Sequence, residues 1–124
     1  MLISFFKAAF APAVATQGLM HYWRGNYQKS CELLTKAERW DPEITKNSIF
    51  EAGLGLTLHQ LGRTEEANPK LIAAQIHLSK LSTHNKEIAG AEYQMLKEIN
   101  QALSNSNVYI KALTSFAGTG KVTP

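Results

Sequence analysis

Gly25-Asn26-Tyr27-Gln28-Lys29-Ser30 and Gly62-Arg63-Thr64-Glu65-Glu66-Ala67 follow one pattern, and their reading decides the fold. Each opens on a glycine that follows one apolar run of helical spacing and precedes another. Glycine takes up the left-handed conformation that ends a helix without the steric cost other residues bear. Upstream of the second stretch lies Leu54-Gly55 with Leu58, and upstream of the first Gly18 and Tyr22 hold comparable places. Downstream of the first come Leu34, Ala37 and the closing pair Asp41-Pro42. A small residue before a glycine turn and another in the following helix let two antiparallel helices cross closely. Repeated along a chain, this is the construction of a helical array, a class that mostly binds other proteins.

Working outward from the two turns, Pro12 suits the first turn of a helix, where its missing N–H is not needed. That helix runs to about Trp23 and stops at Gly25. The next spans Tyr27 to Trp40, closed by Asp41-Pro42 because the residue before a proline resists the helical conformation. Ser48-Ile49-Phe50-Glu51 reads as a capping box that starts a third helix at Ile49, running to Leu61. Thr64 caps a fourth, with Glu65 and Glu66 near its positive end. Pro69 predicts a kink there, or a start at Asn68. This helix extends to about Leu81, and Ser82 to Asn85 breaks it. A fifth, Lys86 to Leu103, carries Ile88, Ala91, Met95, Ile99 and Ala102 on one face. Ser104 to Asn107 reads as a loop, Val108 to Phe116 as a short last helix, and Ala117 to Pro124 as a frayed tail.

The expected organisation is therefore an apolar arm or helix over 1–11, a helical domain over 12–104, and a short helix with a tail over 105–124. Within the domain, repeats span about 12–44 and 48–81, followed by a capping helix over 86–103. At 124 residues the chain is long enough for one domain with a real core. A hydrophobic share of 44% with 19% charged residues describes an ordinary globular chain, and no apolar run reaches the length of a membrane span. The single cysteine, Cys31, leaves no internal disulfide and fits a reducing, cytoplasmic compartment.

The net charge of +3 is uneven. Residues 1 to 31 hold Lys7, Arg24 and Lys29 and no acidic residue, while the remainder cancels. No lysine/arginine cluster forms, which argues against a nucleic-acid partner. Three readings of residues 1–11 compete. Leu2, Phe5, Phe6, Ala9 and Phe10 recur at helical spacing, so the segment reads first as a helix folded back as a cap. A membrane-surface helix contacting lipid through Phe5, Phe6 and Phe10 is the second. A signal peptide ending near Ala13-Val14-Ala15 is the third, opposed by the lack of a basic residue before the apolar part and by Lys7 within it.

These residues together resemble a tetratricopeptide repeat. In the first repeat the resemblance rests on Gly18, Tyr22, Gly25, Tyr27, Ser30, Leu34, Ala37 and Pro42; in the second on Leu54, Gly55, Leu58, Gly62, Ala67, Leu71 and Ala74. The turns lie 37 residues apart, slightly more than the usual repeat of about 34, with the surplus between Pro42 and Ser48. Val14 and Glu51 stand where the family carries its tryptophan, and the second repeat lacks its closing proline. The resemblance implies an all-α fold of antiparallel hairpins stacked as a short right-handed superhelix. It also implies a concave groove lined by Ala15, Leu19, Tyr22, Trp23, Ile49, Ala52, Leu56 and His59.

That groove is apolar and aromatic, which suits the apolar face of an amphipathic helix in a partner protein and not a terminal carboxylate. Tyr22 and Trp23 are the expected anchors. Residues 1–11 or the fifth helix could fill the same space, and exposed groove residues could pair two copies of the chain. His21, His59, His77 and His84 form no ligand motif, Cys31 has no histidine beside it, and no phosphate-binding or nucleophile motif occurs. The expectation is a non-catalytic adaptor without metal or cofactor. A small secretion or assembly chaperone and a membrane-peripheral assembly factor attached through residues 1–11 are the alternatives.

Overall fold

Both turn glycines close their helices by the same hydrogen bonds. In the computed structural model, which describes residues 2–84 and 90–105, Gly25 has φ 82° and Gly62 φ 79°. The Asn26 amide donates to the carbonyl of His21 at 2.8 Å and the Gly25 amide to that of Tyr22 at 3.0 Å. The Arg63 amide reaches Leu58 at 2.9 Å, and the Gly62 amide reaches His59 at 3.0 Å. These paired bonds satisfy carbonyls that a helix end otherwise leaves open. Nothing lies within 4 Å of a Cβ added at either glycine, so backbone conformation alone demands them. Gly25→Ala and Gly62→Ala are each expected to cost about 1–2 kcal/mol, read as a lower urea midpoint at unchanged slope.

The described residues form an all-α fold: α1 Leu2–Trp23, α2 Tyr27–Trp40, a 3-10 turn Pro42–Lys46, α3 Ser48–Gln60, α4 Thr64–His84, and α5 over 90–105. They contain no strand. α1 packs on α2 and α3 on α4 as antiparallel hairpins, and α2 joins α3 through the 3-10 turn. This hairpin packing is consistent with the tetratricopeptide-like arrangement expected. The surplus linker residues are that 3-10 turn, capped by the Asp41 carboxylate accepting from the Glu43 amide at 3.1 Å.

Equivalent contacts recur in the two hairpins. A Cβ on Gly18 would stand 2.7 Å from Leu34 Cγ and 3.3 Å from its backbone nitrogen. A Cβ on Gly55 would stand 2.9 Å from Leu71 Cδ2 and 3.2 Å from its backbone nitrogen. The absent side chains let each helix pair approach until a leucine fills the gap. Between the hairpins, the wholly buried hydroxyls of Ser30 and Thr57 satisfy each other at 3.0 Å. The Lys70–Glu38 pair at 2.9 Å adds a tie from α4 to α2.

Several expectations are corrected. α1 runs unbroken through Pro12, so the helix expected to begin there starts at Leu2 and residues 2–11 are its first turns. α4 likewise starts at Thr64 and continues through Pro69 to His84, past the break expected at Ser82. Both prolines are exposed. The carbonyls of Ala8 and Glu65, which each proline deprives of an N–H, therefore lie on or near the wet side of their helices, where water can replace the bond. α3 is capped by Asn47, whose side chain accepts from the Ile49 amide at 3.0 Å, and not by Ser48. Glu51 is therefore not held back in a capping box; its carboxylate meets His77 Nδ1 at 3.2 Å. Ser104 and Asn105 are helical, not loop. Lys86, Ile88, the Val108–Phe116 helix and the Ala117–Pro124 tail lie outside the described residues.

Candidate functional site

The apolar positions on the inner side of α1 and α3 converge on one seam. Ala15, Leu19 and Tyr22 come from α1, at helical spacings on one stripe, and Ala52 and Leu56 come from α3; all five are buried. Ile49 is half-buried against the same cluster. Trp23 is not among them. Its ring is 51% exposed, because it follows Tyr22 by one residue and one residue turns a helix by about 100°. Both neighbours cannot face inward, and Tyr22 does.

The seam is covered by α5. Met95 and Ile99 are wholly buried, with Ala102 and Leu103 close behind. Gly53, at the centre, would direct a Cβ into Leu19 Cδ2 and to 3.6 Å from both Leu34 Cδ1 and Met95 Cε, so its lack of a side chain is what lets α1, α2 and α5 meet on α3. Ala91, expected on the buried face of α5, is exposed one turn before Met95. Of the fillers the sequence suggested, α5 takes the seam, while residues 5–10 turn Phe5, Phe6 and Phe10 to solvent.

Two polar ties fix the cover. The Tyr22 hydroxyl donates to Glu98 Oε1, and Gln75 of α4 donates to Asn100 Oδ1 at 2.7 Å. Burial, and then the bond to Glu98, holds the Tyr22 phenol well above its usual range, so it acts as a permanent donor. Glu98 has no signal in the sequence, because nothing local links it to a tyrosine 76 residues away. Beside this tie lies a cavity of about 270 Å³ lined by Leu56, His59, Gln60, Gln101, Ala102 and Asn105 with the Tyr22–Glu98 pair. His59 Nδ1 is buried with no hydrogen-bond partner among the described residues. The seam is thus apolar along its length and hydrogen-bonding at the end nearest the two glycine turns, an arrangement suited to holding one helix in one register.

Elsewhere, the buried Cys31 thiol accepts from Arg63 Nη1 at 3.4 Å, while the same guanidinium holds Glu66 bidentately at 2.6 and 2.8 Å. Burial raises the Glu51 carboxyl above the usual carboxylate range against the opposing pull of His77. Among the described residues, no group of three or more His, Cys, Asp or Glu side chains is placed to hold a metal ion, and no helix is long and apolar enough to cross a membrane. Compared with family models, curated proteins and solved structures, the chain matches none.

Proposed function

We propose that this chain is a non-catalytic protein-interaction module of the tetratricopeptide type, acting in the cytoplasm, whose inner seam receives an amphipathic helix. The observation that carries this reading is α5 itself. A helix with Met95, Ile99 and Ala102 on one face is buried in the same core cluster as Ala15, Leu19, Ala52 and Leu56, with Glu98 met by Tyr22. The chain's own helix therefore stands as the template for what the seam accepts: aliphatic residues of the Met95, Ile99 and Ala102 kind along one stripe, and one acceptor opposite the tyrosine. In this reading a partner helix of that pattern exchanges with α5.

A labelled peptide of residues 90–105 tests it directly. Glu98→Ala in the full chain leaves the Tyr22 hydroxyl without its acceptor, a loss of about 1–3 kcal/mol that the peptide's own glutamate restores. The variant is expected to bind the peptide at least about fivefold tighter than the original chain, by fluorescence anisotropy, while a scrambled peptide binds neither. Equal or absent binding of the peptide by both chains would refute exchange at the seam.

A further inference from the structure

The outer side of the first hairpin is built from the opposite materials to the seam. α1 is apolar around most of its circumference, an arrangement that ordinarily accompanies burial on all sides. Yet Phe5, Phe6, Phe10, Met20 and Trp23 are between 44% and 68% exposed, with the exposed Ala9 and Ala13 among them. No acidic residue occurs anywhere in α1. Its partner α2 has 14 residues against the 22 of α1, so the first two turns of α1, carrying Phe5 and Phe6, extend about 12 Å past the hairpin's end. The two rings meet edge-on, centroids 6.0 Å apart.

Basic side chains flank this ridge along the boundary with α2. One depression is lined by Lys7, Lys36, Arg39 and Trp40; a second is lined by Gln17, Met20, His21, Arg24, Lys29 and Leu33. Together they hold five cationic side chains and no carboxylate. Of the acids on and next to α2, Glu32 lies 3.7 Å from Lys29 and offsets that one charge, while Glu38 turns to Lys70 of α4 and Glu43 pairs with Lys46 at 2.8 Å. Lys36 Nζ stands 4.8 Å above the Trp40 ring, which holds an aromatic edge and a cation at the same height.

We infer that the outer ridge of α1 docks on an anionic lipid bilayer, Phe5, Phe6 and Phe10 entering the interface while Lys7, Lys36 and Arg39 meet the headgroups. Charge complementarity and shape decide the occupant. The apolar groups crown the outer face of one helix, with cations in the depressions along its border, and a bilayer deforms around such a ridge. Aromatic residues beside basic ones are the materials of an interfacial helix, whose apolar face sinks about 5–10 Å and whose cations are drawn to acidic headgroups. This inference does not depend on the seam, since α5 lies on the other side of α1.

Co-sedimentation of the full chain with vesicles tests it. Expected is binding to phosphatidylcholine vesicles that carry phosphatidylserine, falling at least about tenfold without phosphatidylserine and weakening at high salt. Trp23 and Trp40 emission should shift to the blue on binding. Phe6→Ser with Phe10→Ser, and separately Lys36→Glu with Arg39→Glu, should each lower binding about tenfold with unchanged helicity, because these side chains lie outside the core. Two results would overturn the inference. One is no binding to phosphatidylserine vesicles, or binding indifferent to the phenylalanine pair. The other is a dimer that depends on Phe6 and Phe10 and excludes vesicles, which would assign the ridge to a second copy.

Discussion

Leu71→Ala is expected to lower the unfolding free energy by about 2–5 kcal/mol, the range for removing a large buried aliphatic side chain. Leu71 is wholly buried, and its branch occupies the space left by Gly55 across the second hairpin. The neighbouring Ile72, 47% exposed, provides the control: Ile72→Ala should cost far less. The two positions also couple. In the original chain Gly55→Ala gains up to about 1 kcal/mol of helix propensity but forces a Cβ to 2.9 Å from Leu71 Cδ2, and overpacking of this kind costs about 1–3 kcal/mol. With alanine at 71 the clashes with Cγ and Cδ2 disappear while the 3.2 Å approach to the backbone nitrogen remains, so Gly55→Ala should become clearly less harmful. A double-mutant cycle by urea denaturation would read this coupling; strict additivity would mean that the glycine serves no close approach.

Ile99→Asp should have a comparable effect with a different distribution. Ile99 is wholly buried on the inner face of α5. A carboxylate there loses its hydration without gaining a partner, which costs about 3 kcal/mol or more. The least expensive escape is local. The hairpins keep their own contacts at Gly18–Leu34, Gly55–Leu71 and Ser30–Thr57, none of which involves α5. Amide exchange should therefore speed up over 90–105 while α1 to α4 stay protected, and an apolar dye should bind the uncovered Leu19 and Leu56. Equal loss of protection in all helices would show that α5 is integral to folding, and exchange with a partner helix would then be untenable.

Reading the sequence recovered the hairpins more securely than the surfaces. Tyr27–Trp40 and the stops at Gly25 and Gly62 are found where they were expected, since turn glycines and a proline-closed end act through bonds only a few residues long. Five of the eight seam positions, Ala15, Leu19, Tyr22, Ala52 and Leu56, are buried together. Trp23 was set beside Tyr22 although helical geometry separates neighbours by about 100°. Pro12 predicts a helix start and Pro69 a kink or a start at Asn68, because the sequence does not say whether the deprived carbonyl faces water.

The chain's local chemistry determined where each helix of the two hairpins turns back: a left-handed glycine after Trp23 and Leu61, and a small residue in each first helix to admit a leucine of the second. Those choices are made within one or two turns, and any arrangement of the remaining chain leaves them intact. Only the tertiary structure decided which side of α1 is covered. That depends on α5, held by a hydrogen bond spanning 76 residues and by Met95 and Ile99 filling a gap that no single segment outlines. Burial is a property of surfaces brought together from afar, so the aromatic side chains of one helix could be sorted into inner and outer sets only once its neighbours were in place.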